Sequence, residues 1–391
     1  MWARLLATFG ETWVLTRVWE REARERRDAE VRRLGLEGRL RFVDVDLPSW
    51  TRLWRRDASI DSNRFQRLEY LIWQSCAARH ARELHRTVAF DLAWHLTWAN
   101  MWGGSAASGL GIPLVLGPVG GAVQPPWRLV GDLGLRGAWF EVLRALWQRI
   151  VRYASLPARR AWNNASLVLV QNRETMDWLP VPIRSRSVMF PNVVLDHEAP
   201  PMQPRPHTPP TALYAGNLLP LKGVSLAIRT VDRLPDWRLI ICGDGPDRDR
   251  LTRIARSLGV EDRVSFLGWR ERDEVLRLMS EEADVFLFPS LHDEGSWVTA
   301  EALSIGLPVV CLDRGGPPAL GGIPVRATGR LATVRRLARA TRAARDLDLG
   351  PSDEFTFDAV QRRLGEILSQ FGLLSGRGTG DSLDLAVRSD R

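Results

Sequence analysis

Thr211-Ala-Leu-Tyr-Ala-Gly-Asn-Leu-Leu-Pro-Leu-Lys-Gly-Val-Ser-Leu-Ala-Ile-Arg-Thr-Val231 reads as three consecutive pieces. The first five residues are a short apolar run of strand length, and Gly216 to Gly223 carries the glycines and proline of a loop. Val224, Ala227, Ile228 and Val231, with Leu234 beyond, then share one face of a helix. A strand, a loop and a helix in so few residues are the repeating unit of a parallel sheet.

The same alternation continues outward. Strand-like runs lie at Trp237–Gly243, Val264–Gly268, Asp284–Pro289 and Pro308–Asp313. Weaker runs precede them at Glu11–Arg17, Leu40–Asp46, Phe90–Leu96, Ile112–Pro118, Ser166–Asn172 and Ser187–Asn192. Six prolines between Pro200 and Pro210 suit neither sheet nor helix and mark a linker. The expected class is α/β, with two doubly wound, Rossmann-like domains facing a central cleft. The expected divisions are 1–199, the linker 200–210, a second domain over 211–350, a terminal helix over 351–372 and a disordered tail over 373–391. In such sheets ligands sit beyond the carboxyl ends of the strands. The loops at those ends are 217–223, Gly243-Asp-Gly-Pro246, Gly268-Trp269, 290–297 and Arg314-Gly-Gly-Pro317.

One residue in those loops stands out by composition. The chain of 391 residues contains a single lysine, Lys222, against 53 arginines. Exposed cations interchange readily, so a lysine retained in that background marks a place where a compact point charge suits better than a planar fork. The net charge of +8 is spread along the chain and is not gathered into a basic block, and no nucleic-acid-binding motif accompanies it, so nucleic acid is not an expected partner. Cys76, Cys242 and Cys311 are far apart and odd in number, which suits reduced thiols and no zinc site. No stretch reaches the roughly 18 apolar residues of a membrane-crossing helix. The expected location is cytoplasmic, with the inner face of the cell membrane as a peripheral alternative. A dinucleotide dehydrogenase is disfavoured because no Gly-x-Gly-x-x-Gly joins a strand to a helix with an acid about 20 residues on.

Taken together, the Gly216 to Gly223 loop ending in Lys-Gly, the Gly-Asp-Gly-Pro turn, the acid spacing from Asp293 to Glu301 and the Gly-Leu-Pro-Val-Val run at 306–310 resemble the retaining glycosyltransferases of the GT-B fold, family 4, in order and spacing. The resemblance implies transfer of a sugar from a nucleotide-diphosphate donor to a glycan or lipid-linked acceptor, in cell-envelope or exopolysaccharide synthesis. It implies no cofactor and no metal, because the leaving diphosphate can be neutralised by fixed positive charge and N–H groups. Lys222 would supply the charge. Ser296 and Trp297 would open a helix whose free N–H groups meet phosphate oxygens. Glu301 would accept the ribose hydroxyls, Asp293 would hold hydroxyls of the donor sugar, and Gly216, Gly243, Gly245 and Gly268 would let the backbone approach the nucleotide. In the first half, His95 in Phe-Asp-Leu-Ala-Trp-His matches an acceptor-facing histidine, and Gly120 and Gly121 would line the same cleft. Trp98, Trp102 and Trp127 hint at sugar stacking.

The chain departs from the family pattern in three places. Asn217 stands where many members carry an arginine, a loss of charge that Arg314 could offset. Asp293 replaces the usual glutamate. Residues 2–7 resemble the end of the family's first helix, so the true gene start is expected upstream, with a strand and a Gly-rich loop. A second reading follows from these departures: a non-catalytic nucleotide-sugar-binding protein. The segment Arg136–Trp162 mixes apolar positions at helical spacing with arginines. The expectation is a helix packed by its apolar face with the arginines outward, with an anionic membrane surface as its alternative partner.

Overall fold

The computed structural model describes residues 1–17, 21–53, 63–96, 101–196, 202 and 206–374. The chain forms two compact units, Met1–Asp44 together with the segment from Asp358 onward, and Val45–Phe357. In the first, β1 (Thr12–Thr16) and β2 (Leu40–Asp44) pair directly in parallel, connected in the chain by the helix Arg21–Arg33. Arg27 ties that helix to the strand end through Asp44 at 2.8 Å.

The second unit holds two parallel sheets. One runs in the order β3 (Ala93–His95), β4 (Leu114–Val119), β5 (Leu167–Val170), β6 (Ser187–Met189). The other contains β7 (Thr211–Ala215), β8 (Arg238–Cys242), β9 (Val264–Gly268), β10 (Val285–Phe288), β11 (Val309–Leu312) and β12 (Ile323–Val325). Its spatial order is β12-β11-β10-β7-β8-β9. The chain therefore winds outward from β7 in one direction, returns to β10 and winds outward in the other. That reversal lies between β7 and β10, which pair directly through Ala212 with Val285 and Leu213 with Phe286.

Covering helices on both faces explain why β7, β10 and β11 are buried at every position and read as unbroken apolar runs. The helix Val224–Asp232 buries the expected face of Val224, Ala227, Ile228 and Val231, and seven of its nine residues in all. Asp284, wholly buried, accepts from the backbone N–H groups of His207 and Thr211 at 2.8 Å each, which fastens the end of the proline-rich segment to the start of β7. Residues 197–201 and 203–205 of that linker region, Trp98, and the tail from 375 lie outside the described residues. Among the described residues no helix is long and apolar enough to cross a membrane. Burial pushes the thiols of Cys242 and Cys311 up to about 11 and about 12, and both remain unpaired.

Each expected strand segment contains a strand, and β12 is one the sequence pattern missed, because Ile-Pro-Val is too short to show alternation. The segment Arg136–Trp162 corrects the expectation twice. It forms two helices, Gly134–Ala154 and Leu156–Asn164, divided at Ser155, whose hydroxyl caps the second by accepting from the Ala158 N–H. Its apolar face also points the other way. Trp139, Phe140, Leu143, Leu146, Trp147 and Ile150 are exposed, and Glu141 and Gln148 are buried. Periodicity defines a helix face without saying which side meets the protein.

Candidate active site

The site is built where the strand order of the six-stranded sheet reverses. After β7 the backbone turns through Gly216, which donates its N–H to the Cys242 carbonyl at 2.9 Å. The turn brings this loop against the one after β8, with the Leu218 N–H on the Asp244 carbonyl at 2.9 Å. A side chain on Gly243 would collide with the carbonyl of Gly216, and one on Gly245 with that of Leu218, so two loops can meet at this distance only because both positions are glycine. Gly268 follows at the end of β9, its carbonyl accepting from the Gly243 N–H at 2.7 Å. Asn217 is exposed at the rim, and its carbonyl accepts from the Tyr214 hydroxyl at 3.2 Å.

Gly223, with φ of +68°, ends the same loop against the carbonyl of Pro289. The loops after β7 and β10 are thereby locked together, and the Leu291 N–H donates to the Leu221 carbonyl at 2.8 Å. The lock aims Lys222 across the gap. Its ammonium meets Oδ2 of Asp293 at 2.6 Å, with the two side chains 26% and 10% exposed. The two residues singled out for the donor end thus form one ion pair at the reversal point. A bound diphosphate would meet a lysine already oriented, in competition with that carboxylate.

Ser296 takes the N-cap position of the helix Trp297–Ser304 without a side-chain bond to the helix backbone. Its hydroxyl instead accepts from Thr299 at 2.8 Å. Glu301, one turn in, is buried, and its Oε1 receives the Nε of Arg272 at 2.6 Å. Arg272 was not singled out from the sequence. It lies at the start of a helix after β9, and nothing in its spacing ties it to Glu301.

Two further residues of the β10 loop were also missed. Glu294 turns away from Lys222 and enters the loops of the four-stranded sheet. Its Oε2 accepts from Asn172 Nδ2 at 2.7 Å and its Oε1 from the Val123 N–H at 3.1 Å. A side chain on Gly120 would press on Glu294 at 2.7 Å, which accounts for that glycine. Burial raises the Glu294 pKa, against the opposing pull of the Gly121 N–H, Asn172, the Val123 N–H and the charge of Arg144. His292 lies 3.7 Å from Glu294 Oε1. Burial, aided by the charges of Arg144 and Lys222, lowers its pKa to about 3, so the approach is between a neutral imidazole and the carboxyl group and is not an ion pair at neutral pH. The tripeptide His292-Asp293-Glu294 at a strand end was the available signal. Counting acid spacing to Glu301 selected Asp293 and passed over its neighbours.

Arg314, expected near the diphosphate, donates to the Gln124 carbonyl at 2.7 Å. The next residue, Gly315, donates its N–H to Glu174 at 2.9 Å. The loops after β4, β5, β10 and β11 therefore converge on one place. Gly121 belongs there, its carbonyl accepting from Gln148 at 2.7 Å and from Trp102 at 2.9 Å. His95 ends β3, half-buried, 3.4 Å from the Tyr70 hydroxyl, and lines a small cavity with Met101, Leu116 and Trp162.

A doubly wound sheet with its charged groups at the reversal point, joined by loop contacts to a second parallel sheet, is the GT-B fold. The solved apo form of the lipopolysaccharide outer core galactosyltransferase WaaB matches it with a TM-score of 0.57, at 14% identity over 92% of this chain and 98% of that one. Anabaena HepE in complex with UDP matches with a TM-score of 0.53, at 15% identity over 94% and 96%. Residues 197–322, about a third of the chain, match the family model for glycosyl transferases group 1. The lipopolysaccharide core biosynthesis glycosyltransferase LpsE of Rhizobium meliloti is 36% identical over 112 residues, 29% of this chain and 32% of that protein. The chain spans about a third of the length of that relative.

Proposed function

We propose that this chain is a retaining, family 4 glycosyltransferase that moves a hexosyl group from a nucleotide-diphosphate-sugar to a glycan or lipid-linked acceptor on the cytoplasmic side of the cell membrane. The observation that carries the reading is the Lys222–Asp293 pair at 2.6 Å at the β7/β10 reversal, in the loop that leads into the helix Trp297–Ser304, which carries buried Glu301 one turn in. Transfer with departure of a diphosphate needs stabilised negative charge on the phosphates as the sugar carbon becomes cation-like. Lys222 offers that charge, and the amide groups that open the helix Trp297–Ser304 offer further N–H donors. Glu301, held by Arg272, is the acceptor for ribose hydroxyls, and Asp293 exchanges its lysine for sugar hydroxyls when donor binds. These groups balance the diphosphate without a divalent ion, so turnover is metal-independent in this proposal.

The UDP bound in HepE makes a uridine nucleotide the first donor to try, and the part LpsE plays in lipopolysaccharide core biosynthesis supports an envelope glycan as acceptor. The test is incubation with UDP-hexoses and an envelope lipid extract, with release of UDP followed and the anomeric configuration of the product read by NMR. Transfer with retained configuration supports the proposal. Inverted configuration, or UDP release no faster than with Lys222→Ala, contradicts it.

A further inference from the structure

The helix Gly134–Ala154 is mounted inside out. Glu141, Ala145, Gln148 and Val151 are buried, and Trp139, Leu143, Leu146, Trp147 and Ile150 face solvent, with Trp139 66% and Trp147 58% exposed. An unbroken apolar stripe of several turns on a single helix is more than scattered surface leucines explain, and such patches mark contact surfaces. The flanking charge is of one sign. Between Gly134 and Asn164 there are six arginines and one acid, Glu141, and that acid is buried against Arg144. Arg149, Arg159 and Arg160 are exposed beside the stripe.

We propose that this helix and the start of Leu156–Asn164 form a docking face for an anionic lipid bilayer, with the helix lying in the interfacial plane. Apolar and aromatic side chains toward the acyl boundary with arginines at headgroup level are the composition such a position requires. Charge decides between a bilayer and a second copy of this chain. Two copies packed stripe to stripe would bring their arginine rims together, whereas anionic headgroups neutralise them.

The buried side of the helix gives the docking a direction. Gln148 donates to the Gly121 carbonyl at 2.7 Å and Arg144 to the Val123 carbonyl at 3.2 Å. The same helix that would lie on the lipid thus holds the loop that meets Glu294. Resting on the transferase reading, this places the acceptor side of the site next to the membrane and favours an acceptor with a lipid anchor.

The experiment is flotation of the full chain with vesicles of phosphatidylcholine alone and with phosphatidylglycerol replacing part of it, for the wild type, Leu146→Ser/Trp147→Ser and Arg159→Glu/Arg160→Glu. The expected result is flotation on the anionic vesicles only, reduced at least tenfold in both variants and by added salt. Equal partition of all three proteins, or no flotation, overturns the proposal. So does light scattering that shows a dimer which Leu146→Ser/Trp147→Ser splits without any flotation, since a second copy would then cover the stripe. Thermal stabilisation by UDP is read on the same samples. Loss of flotation with UDP binding intact concerns the docking face alone, and flotation without any nucleotide binding contradicts the transferase reading and leaves the docking face standing.

Discussion

His292 supplies a pH prediction with a sign and a size. Its ring is 23% exposed, and burial with the nearby charges of Arg144 and Lys222 lowers its pKa from the ordinary 6.5 to about 3. The folded value lies below the unfolded one, so on acidification the unfolded chain takes up the proton first. The stability this group contributes is complete above its unfolded pKa and is lost as pH falls toward 3. At 1.36 kcal/mol per pH unit, the loss between pH 8 and pH 5 is about 2 kcal/mol. Glu294 acts with the opposite sign. Its pKa is raised, so the cost of burying its charge is relieved as pH falls through its folded value, and the raw acid profile mixes both groups. Comparison with His292→Gln removes the mixture, because the variant keeps Glu294 and cannot gain the charge. Urea unfolding of both proteins in parallel buffers should show the wild type losing about 2 kcal/mol relative to the variant between pH 8 and pH 5. A difference that does not change with pH would refute a neutral, buried His292.

Three further outcomes are expected. Gly223→Ala should destabilise by about 2–3 kcal/mol, since the position has positive φ and its new carbon meets the Pro289 carbonyl, whereas Gly38→Ala, in open space, should cost under about 0.5 kcal/mol in the same thermal scan. Arg272→Gln should weaken UDP binding about tenfold and erase any preference for UDP over its 2′-deoxy analogue, because Arg272 orients Glu301; an unchanged ribose preference by calorimetry would remove Glu301 from that role. Prolonged EDTA treatment should leave sugar transfer undiminished, and abolition of turnover with recovery on adding magnesium would contradict metal independence.

The sheet of the second half was readable because its central strands β7, β10 and β11 are buried at every position and the turns after β7, β8 and β9 are made at glycines. Positive φ at Gly223 and the close approaches of Gly243 and Gly245 are constraints that composition itself records. Lys222 was legible for a different reason, as the lone lysine among arginines. The partners were not legible. The pairing of Arg272 with Glu301, of Glu294 with Asn172 and Val123, and of Arg314 with Gln124 depends on loops brought together by the tertiary fold, separated by 29, 122, 171 and 190 residues. The inverted helix at Gly134–Ala154 escaped for a similar reason: its period was correct, and only the position of its neighbours could show which face they cover.

The central claim is that Lys222 is the cationic centre of a nucleotide-diphosphate site. Thermal unfolding of the wild type and of Lys222→Ala with excess UDP, and with GDP and ADP alongside, tests it most directly. A ligand at about 100 times its Kd stabilises by about 2.7 kcal/mol, so one nucleotide should raise the wild-type Tm by several degrees and leave the variant unmoved. An equal rise in both proteins, or no rise with any of the three, would contradict it.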